Sequence, residues 1–257
     1  METEYTLRCG PMQIPCRLRL PMAGQPRQVV LGVHGMGGSM DDAIQTGIAE
    51  EMTLFGAASV CFDLPCHGKN RMEENVLSLQ PCLDTILTVA EDAVEKFPQA
   101  QLCVFATGFG AYLTLVALPR LRQLCNDLRL VIQTPGLRMH DTILSMLRIS
   151  KETLRAMERK TLAAPKPFDV TYEFYEELRQ NVVLATCDQP MLILQGEADD
   201  YIHMSDIRAF RNVNEEAKLV IIPGTSHRFQ EDGAWDMVLD LTRDWFSYQQ
   251  VLVTDWE

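Results

Sequence analysis

Apolar residues recur along the chain in short runs rich in Val, Ile and Leu, separated by longer stretches with helical spacing. That alternation predicts an α/β fold with a mostly parallel sheet and helices on both faces. A parallel strand is buried on both sides, whereas a covering helix hides only one stripe. Two runs, 3–8 and 12–20, are separated only by Cys9-Gly10-Pro11 and predict an antiparallel N-terminal hairpin. Further strands are expected at 29–33, 58–62, 102–106, 128–132, 191–194 and 218–222. Helices are expected at 41–54, 82–97, 109–118, where Pro119 is read as the stop, and 232–246.

One segment breaks the alternation. Between the strands at 128–132 and 191–194 lie roughly sixty residues, several times what a crossover requires. Three helical pieces are read there, at 142–148, 151–160 and 171–180, with Pro165 and Pro167 marking a bend. The expectation is one domain over 1–257 that carries a short helical cap inserted at 138–182.

Composition narrows the partners. The 257 residues hold 23 Lys+Arg and 35 Asp+Glu, a formal net charge of −12. Nucleic acid and anionic membranes both need a basic footprint, so neither is expected as a partner. No apolar run approaches the roughly 18 residues of a membrane span, and METEYTLRCG is charged where a secretory signal would be apolar. None of the eight cysteines forms a C-x-x-C pair, so no metal site and no disulfide framework is expected. A reduced, cytoplasmic protein without a cofactor is the resulting expectation. The charge is uneven: residues 138–182 hold eight basic and seven acidic side chains, so the acid excess lies elsewhere.

The chemistry gathers in loops that follow predicted strands, the sheet edge where open α/β folds bind ligands. His34-Gly35-Met36-Gly37-Gly38 follows the strand at 29–33. Asp63, His67 and Gly68 stand in FDLPCHGK after the strand at 58–62. Ala106-Thr107-Gly108-Phe109-Gly110 joins the strand at 102–106 to the next helix. QPMLILQGEADDYI and VIIPGTSHRF end two later strands with Asp199 and His227.

Those five motifs, in that order, resemble the α/β-hydrolase superfamily over nearly the whole chain, and most of all its smaller serine esterases of feruloyl or cinnamoyl type and monoglyceride lipases. The resemblance implies a carboxylester hydrolase acting on a small-molecule ester. Asp199 would be the acid that orients His227, the general base, and the amides of Met36 and Phe109 would form the oxyanion hole. His34, Gly35, Phe174 and Tyr175 are the expected substrate-binding residues. Asp200 is the alternative acid if the loop slips by one position.

The chain departs from the family at the decisive residue. The elbow reads G-x-S-x-G in the family, and the nucleophile position here holds Gly108, which has no side chain to attack a carbonyl. As written, the protein is expected to be inactive or very slow. The alternatives are a pseudoenzyme that binds a ligand or partner in the old pocket, and a hydrolase or lyase working through the Asp199–His227 pair alone. Thr107 is expected to be turned away from the site by the elbow, and Cys66 is read as a loop thiol of the usually inert kind. His67, His140 and His203 are read as structural or surface residues.

Overall fold

The computed structural model describes residues 1–247 apart from Glu73 and Asn126. Its centre is an eight-stranded sheet. In chain order the strands are β1 (Glu2–Cys9), β2 (Met12–Arg19), β3 (Gln28–Val33), β4 (Ala58–Phe62), β5 (Gln101–Thr107), β6 (Leu128–Gln133), β9 (Met191–Gly196) and β10 (Ala217–Ile222). Across the sheet they run β1-β2-β4-β3-β5-β6-β9-β10. The six strands from β4 to β10 are parallel, and the β1–β2 hairpin joins antiparallel to β4. The expected class is therefore the observed one.

The buried runs explain the layers. Residues 29–33 of β3 and all of β4 are buried, so both faces of the central strands are covered. Val30, Cys103, Phe105, Val131 and Leu194 pack with Ile48, Met52, Val238 and Phe246, which belong to α1 (Ala43–Leu54) and α8 (Ala234–Ser247). The alternate residues, Leu31, Val104, Leu130 and Ile193 among them, pack on the opposite face. There they meet α2 (Leu79–Lys96), α3 (Gly108–Leu124) and α7 (Met204–Val213). Each such aliphatic side chain removed from water contributes about 1.5–3 kcal/mol, which makes this two-sided burial the main stabilising term.

Three expectations change. Pro119 does not stop its helix: α3 continues to Leu124 with the proline inside. An internal proline costs about 3 kcal/mol, and the buried Leu118 and Leu121 on either side of it offset that. The predicted helix at 151–160 ends at Met157, where α5 (Lys151–Met157) meets Glu158 at φ +62. The chain then forms a second sheet, β7 (Arg159–Leu162) with β8 (Phe168–Thr171), between α5 and α6 (Tyr172–Gln180). Four-residue strands with one alternating buried side carry too little pattern to be read in advance. Helix α7 was likewise not anticipated.

The segment between β6 and β9 begins with α4 (Met139–Leu147), and backbone hydrogen bonds tie it to the rest. Leu77 N donates to Asp169 O and Asp169 N to Asn75 O, a parallel bridge at Val76. Lys166 Nζ donates to Asn70 O, and Leu79 N donates to the Glu177 carboxylate. β8 is thus held to the loop that follows β4.

One glycine fixes how closely α3 approaches the sheet. A Cβ on Gly110 would lie 2.4 Å from His34 O and 2.5 Å from Val33 O. Gly110→Ala is expected to lower unfolding stability in urea by roughly 1–3 kcal/mol, the usual cost of overpacking. Gly47→Ala in α1, where the nearest atom is Leu239 Cδ2 at 3.6 Å, should instead raise it by about 0.5–1 kcal/mol. Similar effects at the two positions would contradict the close approach.

Candidate active site

The strand order reverses between β4 and β5 on the two sides of β3, so a crevice opens there at the carboxyl edge. The glycine loop after β3 and the turn from β5 into α3 form its floor. Gly108 sits at that turn with φ +50, a conformation that suits glycine better than any other residue. A Cβ placed on it would meet only Gly35 Cα and His227 Nε2, each at 3.9 Å. The position is therefore open, and it faces the imidazole.

His227 comes from the loop after β10, and its Nδ1 lies 2.9 Å from Asp199 Oδ2. Asp199, from the loop after β9, has a 1 % exposed side chain. Its Oδ1 accepts from the amides of Tyr201 and Ile202, and its Oδ2 accepts from Gln195 Nε2 at 3.0 Å. Burial alone would raise this carboxyl. The hydrogen bond and charge of His227, together with the two amides, outweigh it and hold the group below the ordinary carboxylate value. Asp200 is exposed, and among the described residues it has no hydrogen bond or ion pair. Gln195, buried and aimed at the acid, was not found from sequence; a glutamine inside an apolar strand was the available signal.

The loop after β3 is held by two buried histidines. His34 Nε2 accepts from Leu64 N at 3.0 Å and Nδ1 donates to Gly35 O at 2.8 Å. His67 repeats the arrangement, accepting from Gly37 N at 2.9 Å and donating to Pro65 O at 2.7 Å. Each ring needs one protonated and one free nitrogen, so both are neutral. Asp63 completes the tie by accepting from Met40 N and Lys69 N, and a Cβ at Gly68 would fall on its carboxylate. With Gly37 N used by His67 and Gly38 N used by Gly35 O, the Met36 amide makes no hydrogen bond among the described residues. The Phe109 amide, in the first turn of α3, likewise has none.

A cleft of about 390 Å³ opens above these groups. Gly35, Met36, Thr107, Gly108, Phe109 and His227 line it, together with Gln133, Met139, Tyr201 and Trp235; Thr107, expected to turn away from the site, borders it instead. Three expected substrate-binding residues lie elsewhere. His34 is fully buried as a loop tie, Phe174 packs edge-on against the Phe109 ring, and Tyr175 stacks with Tyr172. Cys66 is buried outside the cleft, and burial pushes its thiol up to about 11. Among the described residues no cluster of His, Cys, Asp and Glu could hold a metal ion.

Against known proteins, the profile of the serine aminopeptidase S33 family matches residues 24–182, more than half of the chain. The chain belongs to that family. It is accordingly a member of the α/β-hydrolase superfamily, as its motif order implied. A "Putative hydrolase" from Agrobacterium vitis S4 superposes with TM-score 0.79 at 17% identity, covering 95% of this chain and 98% of that one. Est1E from Butyrivibrio proteoclasticus superposes with TM-score 0.76 at 17% identity, covering 95% and 97%, and has also been solved with ferulic acid bound. A Mycobacterium tuberculosis protein named "Putative phosphoribosyl transferase" is 24% identical over 95% of this chain. The chain spans about half the length of that relative, 46% of it. No helix among the described residues is long and apolar enough to cross a membrane.

The neutral histidine pair predicts an acid-sensitive fold. Burial pushes His34 down to about 4; burial and the nearby His34 push His67 down to about 3. The unfolded chain takes up protons below pH 6.5 that the folded chain refuses. Stability is thus full above about 6.5 and falls toward pH 4, by up to roughly 1.4 kcal/mol per unit for each ring. Urea midpoints at pH 7, 5.5 and 4.5 should fall in that order, with a shallower slope in His67→Gln. A flat profile would remove the neutral pair from the account.

Proposed function

We propose that the chain has a carboxylester-hydrolase site with every part but its nucleophile. The observation that carries this reading is the 3.9 Å between a Cβ at Gly108 and His227 Nε2. Adding a serine Oγ to that Cβ spans most of the remaining distance, giving roughly 2.6–3.2 Å, the reach of a nucleophile–base hydrogen bond. Asp199 sets the His227 tautomer: Nδ1 carries the proton toward the carboxylate and Nε2 faces the cleft as the base. The amides of Met36 and Phe109 would receive the carbonyl oxygen as it gains charge. Without Oγ no acyl-enzyme forms, and the unaltered chain is inactive or very slow.

In this reading residues 138–182 act as a cap over a single α/β-hydrolase domain. Ala164 comes within 3.1 Å of a Cβ placed on Gly37, and Pro165 lines the cleft, so the segment roofs the glycine loop. Small-molecule esters are the ligand class, and ferulic acid on Est1E makes aromatic acyl groups the first to try. The match covers only 46% of the longer relatives named as phosphoribosyl transferases, and no transfer chemistry is proposed for this chain from their name.

A second reading keeps the cleft as a binding site alone, or uses His227 to activate water against an ester held by the two amides. The retained 390 Å³ cleft favours binding, and the intact dyad favours slow hydrolysis. Gly108→Ser is expected to raise hydrolysis of p-nitrophenyl butyrate by at least 10³-fold, a lower bound beneath the roughly 10⁴–10⁶ that loss of a single triad member removes elsewhere. His227→Ala in that background should abolish the gain. A folded Ser variant that stays inert would refute the esterase reading. Turnover by the unaltered chain that is lost in His227→Ala would favour the water mechanism over binding alone.

A further inference from the structure

Two polar side chains at the cleft floor remain without a task. Thr107 ends β5 and Gln133 ends β6, and the two are paired in register across the parallel ladder. Their strand phases agree. Phe105 in β5 and Val131 in β6 both pack toward α1 and α8, so Thr107 and Gln133, two residues on, project from that same face. The loop bearing His227 comes down over this face, where its Phe229 is buried in the same core. Both residues line the cleft beside Gly108.

Neither side chain has a hydrogen-bond partner among the described residues. Gln133 is only 4 % exposed; its Oε1 is buried and unpartnered, as are those of Gln45 and Gln195, and its partnerless Nε2 is the carboxamide atom left open at the cleft. A buried, unpaired carboxamide oxygen costs free energy, and an apolar residue of the same size at the end of an apolar strand would avoid that cost. The contrast lies in the amide nitrogen: the buried Gln45, Gln189 and Gln195 all donate theirs to protein oxygens, and Gln133 does not. Gln133 is set apart by its place at the cleft.

We infer that Gln133, with Thr107 beside it, reads a hydrogen-bond acceptor on the acyl side of the ligand. The Gln133 Nε2 donates to a hydroxyl, ether or carbonyl oxygen, and the Thr107 hydroxyl supplies a second contact of either sense. The preferred ligands are therefore acyl groups carrying a hydroxyl or another oxygen acceptor next to the carbonyl, ahead of plain alkanoyl groups. This assignment rests on the acyl-binding reading of the cleft. It does not require that the unaltered chain turn over.

The test compares lactamide with propanamide, which differ by one hydroxyl. Saturation-transfer NMR titration of the unaltered protein should show lactamide binding at least 10-fold tighter. Gln133→Met should erase that preference while leaving the thermal midpoint unchanged or higher, because an unpaired buried acceptor has been removed. In the Gly108→Ser background, p-nitrophenyl lactate should exceed p-nitrophenyl propionate in kcat/KM by a similar factor, again lost with Gln133→Met. Equal affinities in the unaltered protein would overturn the proposal. So would a Gln133→Met protein with a lowered midpoint and an unchanged preference, since that marks a structural residue. An inert Gly108→Ser protein that keeps the lactamide preference would sink the esterase reading and leave the role of Gln133 standing.

Discussion

The approach of α3 to β3 is the contact on which the site depends. Gly110 brings the first turn of the helix against the carbonyls of Val33 and His34 with no room for a methyl group. That approach sets the tight turn in which residue 108 takes a positive φ at the tip. It also leaves the Phe109 amide at the start of a helix, unpaired and directed by the helix end. The dyad, the glycine loop and the cleft are all arranged around this turn. Were the helix to shift outward by an ångström, position 108 would no longer face His227.

The supporting polar groups divide into two kinds. His34, His67 and Asp63 are saturated, each accepting or donating to backbone within the loops after β3 and β4. They hold the Met36 amide in place by engaging the amides around it, and they contribute stability only while the rings stay neutral. Asp199 is saturated as well, with four hydrogen bonds around one buried carboxylate. Gln133, the Met36 amide and the Phe109 amide are the opposite kind. They are polar, placed at the cleft and unsatisfied, which is how a preorganised site stands ready for a ligand.

Much of this was legible in the chain itself. Continuous apolar runs and the glycine-rich loops after them identified the sheet, its carboxyl edge and the order of the site residues. The adjacency of Asp199 and Asp200 left the acid open, and in the structure Asp199 is the one that meets His227, the amides of Tyr201 and Ile202, and Gln195. The β7–β8 hairpin was hidden because strands of four residues carry no usable periodicity. Pro119 misled because its penalty is local while the burial of Leu118 and Leu121 is not. Phe174 and Tyr175 were expected at the pocket from the resemblance, yet their ring contacts, with Phe109 of α3, His140 of α4 and Tyr172 of α6, lie in the packing of α6 on its neighbours.

The central claim is that residue 108 occupies a working nucleophile position in front of an intact base. Intact-mass and peptide mapping of Gly108→Ser after treatment with a fluorophosphonate tests it most directly. The account predicts one adduct per chain, located on residue 108, slowed strongly by His227→Ala and absent from the unaltered protein. A folded Ser variant that gains no adduct, or an unaltered chain labelled at the same rate, would contradict it.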